Sequence, residues 1–250
     1  MRFIKKLSAV TITAIMALFA VVPVHAAETP VFTDVPETHW AYSFVSTAAA
    51  NGWVTGYGDG RFGPDAQVSY AELSQMLVRA FFSDELKEVE VQDGNPWYVP
   101  ACTVAEELGL YVGVDIRAQY RNESLITKPV SRYEMAQILT NTMRAAGATL
   151  SPNLTIASAN TADWNAIPSR YQGAVAATKT MGLIAGTDEA GTFSGDLYMS
   201  RSQAATIMVR LNDLIQKGFP DMEEPVITIE PEPTLPEPSL VDDGVTDPAQ

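Results

Sequence analysis

An all-α fold of three tandem helix–loop–helix units is the architecture this sequence predicts, and three observations predict it. Three pentapeptides align: Gly52–Gly56, Gly109–Gly113 and Gly182–Gly186. Each follows an alanine-rich run whose apolar residues fall at helical spacing. Each is followed, 17 to 22 residues on, by Ser-x-x-Glu or Ser-x-x-Gln ahead of a second apolar stripe. The period is about 60 residues, and a unit of this kind cannot bury its stripe alone, so the three must share one core.

The elements follow in chain order. Before the first pentapeptide, Ala41, Phe44, Val45, Ala48 and Ala49 form one helical face; before the second, Ala101, Val104, Ala105 and Leu108 do so; before the third, Ala174, Val175, Thr178 and Met181. The first glycine of each pair stands where a helix C-terminus needs positive φ. The second helices open at Ser69–Glu72, Ser131–Glu134 and Ser200–Gln203. In each, the serine hydroxyl is expected to take the N3 amide while the Glu or Gln reaches back, the capping box. Their stripes are Leu73, Met76, Leu77 and Ala80; Met135, Ile138, Leu139 and Met143; and Ala204, Ile207, Met208 and Leu211. The start of each unit recurs less cleanly. Trp40, Trp97 and Arg170 stand 12 residues before the first glycine, and Asp34, Asp93 and Asp163 lie upstream of them.

Composition narrows the function. The chain has 250 residues, 30 acids against 16 bases, and a net charge of −14. That excludes a general affinity for nucleic acid or anionic membrane, since both require basic surface. One cysteine excludes a disulfide scaffold or a Cys-rich metal site. Residues 1–26 read as a secretory leader: Arg2, Lys5 and Lys6 precede an apolar run, and Val24-His25-Ala26 supplies the cleavage site. An uncleaved membrane anchor is the rival reading of that run. Residues 220–250, rich in proline and acid with no Lys or Arg, are expected to be an extended, solvated tail. The expected division is therefore 1–26 leader, 27–88, 89–148 and 149–219 for the three units, and 220–250 tail. No cysteine stands at a lipobox position and Val245–Gln250 is polar, so neither a lipid anchor nor a C-terminal membrane anchor is expected.

The first unit reads Phe32-Thr33-Asp34, His39-Trp40-Ala41, Gly52–Gly56, Tyr57-Gly58-Asp59-Gly60-Arg61-Phe62-Gly63-Pro64 and Ser69–Glu72. This order of elements, repeated over about residues 32–215, resembles the S-layer homology family. The resemblance implies an all-helical unit of pseudo-threefold symmetry around a central bundle of second helices. It implies a secreted, non-catalytic module at the cell wall, associated with an S-layer, needing no cofactor. Its partner would be secondary cell-wall polysaccharide, typically bearing a pyruvate ketal, bound in grooves between repeats. The motif arginines, Arg132 and Arg201, would meet that carboxylate.

The residues themselves leave alternatives open. Arg at the first helical position sits unfavourably beside the positive end of the helix dipole. A bound anion reverses the sign; so does a neighbouring Asp or Glu. Trp40 and Trp97 either stack on sugar rings or anchor the core, with core the preferred reading. Asp34, Asp93 and Asp163 either line the sugar pocket or hold loop amides ahead of a helix. The departures from the family pattern are Tyr70 in place of Arg, Arg170 in place of Trp, Gln203 in place of Glu, and a stretched loop over 114–128. They motivate a second reading, a degenerate adaptor that binds a protein partner at the surface. The tail either spaces such a partner from the wall or solubilises the module.

The remaining candidates have plainer explanations. The Gly58-Asp59-Gly60 loop lacks the alternating carboxylates and closing Glu of a calcium loop, so it reads as a turn. His39 is the only histidine once the leader is removed, which excludes a histidine metal triad. Cys102 falls on the apolar side of its helix as a small buried residue. No pair of carboxylates is singled out for glycoside hydrolysis.

Overall fold

The computed structural model describes residues 32–90, 93–116 and 121–220. The expected leader, and the expected tail beyond residue 220, lie outside the described residues. Those described form helices α1 (Tyr42–Ala50), α2 (Tyr70–Phe81), α3 (Ser83–Lys87), α4 (Val99–Glu107), α5 (Glu123–Ile126), α6 (Arg132–Ala145), α7 (Leu154–Ala159), α8 (Ser169–Thr180) and α9 (Arg201–Lys217). A short 3-10 turn spans Trp164–Ala166. Among the described residues there is no strand, only isolated bridges, so the all-α expectation holds. The short helices α3, α5 and α7 lie in connections that the hydrophobic pattern left blank.

The capping boxes are present at Ser69/Glu72, Ser131/Glu134 and Ser200/Gln203, with both reciprocal bonds in each. Gly52, Gly109 and Gly182 take φ of +73°, +72° and +69° just past α1, α4 and α8, as a helix stop demands. Gly56 and Gly186 are needed for a different reason. A Cβ on Gly186 would stand 2.6 Å from the Gly191 Cα, and one on Gly56 would meet Arg61 O and the Phe32 ring. These second glycines let two strands of loop backbone pass in contact.

The units interlock cyclically. α4 packs on α2, α8 on α6, and α1 on α9, so each first helix lies on the second helix of a neighbouring unit and the chain closes on itself. α2 and α9 also touch. The principal packing is thus between first and second helices of different units rather than within a bundle of second helices alone.

The segments that lead into the second helices repeat this cycle in hydrogen bonds. Val68 N donates to Met199 O at 2.9 Å, Met199 N to Val130 O at 3.0 Å, and Val130 N to Val68 O at 2.9 Å. One step along, Tyr70 N donates to Lys128 O, Arg132 N to Leu197 O and Arg201 N to Ala66 O. The first amide of a helix has no partner within it. Here the adjacent unit supplies that acceptor each time, so the helix starts and the ring closure are one construction. The stripe residues Leu73, Met76, Leu77, Met135, Ile138, Leu139, Met143, Ala204, Ile207, Met208 and Leu211 all join a single core cluster.

Candidate functional site

The motif arginines are buried. Arg132 is 2% exposed and Arg201 is 4% exposed. Arg201 donates Nε to Phe62 O at 3.0 Å and Nη2 to Thr55 O at 2.8 Å, and its Nη1 pairs with Glu72. Its guanidinium lies 4.8 Å from both the Tyr57 and the Phe62 ring centroids. Arg132 repeats the pattern one unit further round. Its Nε donates to Phe193 O at 2.7 Å, its Nη2 to Ala185 O at 2.7 Å, and it lies 5.0 Å from the Phe193 ring centroid. Each cation at a helix start is therefore led away from the positive helix end into a carbonyl-lined socket belonging to another unit.

Two of the three predicted aspartates build those sockets. Asp34 accepts from Phe62 N at 2.8 Å and Gly63 N at 2.7 Å, and Asp163 from Phe193 N at 2.7 Å and Ser194 N at 2.9 Å. The peptide units so pinned include the carbonyls that receive Arg201 and Arg132. Asp93, by contrast, is exposed at the start of the second unit. Tyr70, the residue in the arginine position of the first unit, is buried. Burial, then a side-chain hydrogen bond to Glu134, raises its pKa far above the ordinary tyrosine range. Tyr70 thus meets the capping glutamate of the second unit as Arg201 meets that of the first.

The tryptophans separate. Both precede their helices by two residues, whereas Arg170 lies inside α8. Trp40 is half-buried, packs against the core and stacks with His39; His39 Nδ1 accepts from Ala41 N at 3.1 Å. Trp97 is 59% exposed, which corrects the expectation that it anchors the core.

Trp97 instead forms one wall of a cleft of about 300 Å³. Trp53, Val54, Thr55 and Gly56, four residues of the first pentapeptide, line it with Tyr57, the residue after them. α2 contributes Glu72, Gln75, Met76 and Arg79, and Arg201 reaches in from the start of α9. The four α2 residues follow i, i+3, i+4, i+7 and so share one helix face. All three units therefore border the cleft. Sequence reasoning missed Trp53, Gln75 and Arg79; the spacing of 72, 75, 76 and 79 was the available signal, masked because Met76 also belongs to the core stripe.

No group of three or more His, Cys, Asp or Glu among the described residues could hold a metal ion. None of the described helices is long and apolar enough to cross a membrane. Cys102 is fully buried, and burial raises its thiol pKa. Tyr111, beside it, hydrogen-bonds Ser74 and is likewise raised by burial.

Tyr70 and Tyr111 set an alkaline limit. A raised native pKa means that the folded chain keeps protons which the unfolded chain loses above about pH 10. The associated stability is complete below that pH and is lost as pH rises, at about 1.4 kcal/mol per pH unit for each tyrosine. Lys179, lowered by burial, acts oppositely: its native form binds fewer protons, so its effect raises stability up to about pH 10.5 and then stops. Chemical denaturation between pH 9 and 11.5 is expected to show stability falling steeply above pH 10. A flat profile there would mean these hydroxyls are not buried.

A closed helical repeat module with an aromatic, cation-bearing cleft between its units is what this fold and site define. Residues 31–74 and 160–205 match the family model of the S-layer homology domain. The first and third of the helix pairs are therefore the parts of the chain that are similar to S-layer homology domains. The two matched segments contain the two loops that receive an arginine. Among curated proteins the chain is similar to a cell surface protein of Thermoanaerobacter kivui, 29% identical over 89 residues. That alignment covers 36% of this chain and 10% of the relative's length.

Proposed function

We propose that the protein is a non-catalytic cell-surface module that holds itself to secondary cell-wall polysaccharide through the cleft between its units. The observation that carries this reading is the cleft itself: an exposed tryptophan and Trp53 line it together with polar and cationic groups, in a chain with two segments that match the S-layer homology domain. Aromatic faces give a sugar ring an apolar platform while the polar groups fix its orientation. In this reading Trp97, Trp53 and Tyr57 face the polymer and Arg201 stands at the back of the cleft. Arg132, Asp34 and Asp163 act by holding the loops, Trp40 by supporting the core, and Asp93 lies outside the cleft lining. The likeness to a cell surface protein of Thermoanaerobacter kivui supports a surface location, and a pyruvylated polymer is the form that the family likeness favours.

Co-sedimentation of the protein with purified sacculi tests the reading. Retention on native sacculi and release from sacculi stripped of secondary polysaccharide are expected. Equal retention on both would replace the polysaccharide by a protein or peptidoglycan partner.

A further inference from the structure

We propose that Arg79, rather than the motif arginine Arg201, is the cation that meets a carboxylate on the polysaccharide in this cleft; the inference rests on the anchoring reading above. Arg201 is already engaged on every side. Its Nε and Nη2 donate to Phe62 O and Thr55 O, its Nη1 holds Glu72, and two aromatic rings lie against its guanidinium. For Arg201 to take a ligand carboxylate, it would have to abandon Glu72, which also caps α2 through Ser69. Breaking one buried charge pair to form another offers little net gain.

Arg79 stands in the opposite condition. It is exposed, lines the same cleft, and lies one turn beyond Gln75 on α2. Its Nε and Nη2 reach the Gln75 side chain once that amide turns its oxygen toward them. A neutral amide is exchanged for a carboxylate at small cost, and the guanidinium fork then binds both carboxylate oxygens. The local charge agrees: the cleft lining holds two cations and one carboxylate in a chain of net charge −14. With Glu72 and Arg201 neutralising each other, Arg79 is the positive charge this cleft presents to a ligand. Trp97, exposed in the same lining, offers the ring platform.

The test compares the full-length protein with its Arg79→Gln variant on two probes: purified secondary polysaccharide, and the same polymer after chemical reduction of its carboxyl groups. Arg79→Gln is expected to bind native polymer about tenfold or more weakly than wild type, the loss of a charge-assisted pair. On reduced polymer the two proteins are expected to bind alike, and their thermal unfolding to coincide. Equal binding to native polymer, or an equal loss on both probes, overturns the role of Arg79 while leaving anchoring intact. Failure of wild type to bind native polymer overturns both.

Discussion

Arg201→Ala is expected to lower the stability of the protein by about 3–5 kcal/mol, the usual cost of removing one partner from a buried, hydrogen-bonded charge pair. Three losses coincide. Phe62 O and Thr55 O lose their donor, Glu72 loses its counter-ion inside the cleft, and the Tyr57 and Phe62 rings lose the cation packed against them. The position magnifies the effect, because Arg201 begins α9 while its partners belong to the first unit; it ties the last helix of the ring to the first. At about 2–4 °C per kcal/mol for a domain of this size, the midpoint should fall by about 10 °C. Arg201→Lys should recover only part, since a single ammonium cannot span the carbonyls and the carboxylate together. Thermal unfolding followed by circular dichroism measures this, and an unchanged midpoint would refute the socket. Loss of wall binding by Arg201→Ala is therefore no measure of ligand contact unless the fold is followed in the same sample.

Much of the fold was legible because it is written locally. A capping box needs only Ser69 and Glu72, and a helix stop only Gly52; both are visible within a few residues. The sockets were not legible, because each pairs an arginine from one unit with a loop from another. Taken unit by unit, Tyr70 and the stretched loop over 114–128 are two unrelated departures. In space they are linked. By the cyclic relation, Tyr70 belongs with the second unit, whose Lys128 O accepts from its amide at 3.2 Å. The second unit differs where the other two build a socket: Gly113 adopts φ of +82° where Gly56 and Gly186 permit backbone contact, and Asp93 is exposed where Asp34 and Asp163 pin a turn. This different backbone at Gly113 goes with a tyrosine in the position where the other units have an arginine. The same non-locality hid the contrast between Trp40 and Trp97, which share a register. Trp40 is half-buried against the core, whereas Trp97 is exposed and lines the cleft together with residues of α2 and the first pentapeptide.

That contrast makes Trp97→Ala the most informative substitution for function. The side chain is 59% exposed, so its truncation should change stability by no more than about 0.5 kcal/mol. A sugar ring laid on the indole would cover about 100 Å² of apolar surface, worth about 2.5 kcal/mol at about 25 cal/mol per Å². Wall retention should accordingly fall by roughly seventyfold with the melting curve in place. Trp40→Ala should do the reverse: the midpoint drops because a core-packed aromatic is lost, and any binding defect disappears at temperatures where the variant is folded. Co-sedimentation and thermal unfolding of the two variants side by side separate the roles. Wild-type retention by Trp97→Ala would remove the cleft as the seat of anchoring. It would also take the platform from Arg79, since a lone exposed cation holds a polymer only by charge and releases it in salt. Loss of retention in Trp97→Ala alone would leave the buried arginines to explain how the cleft is held open, and the exposed aromatic to explain what it holds.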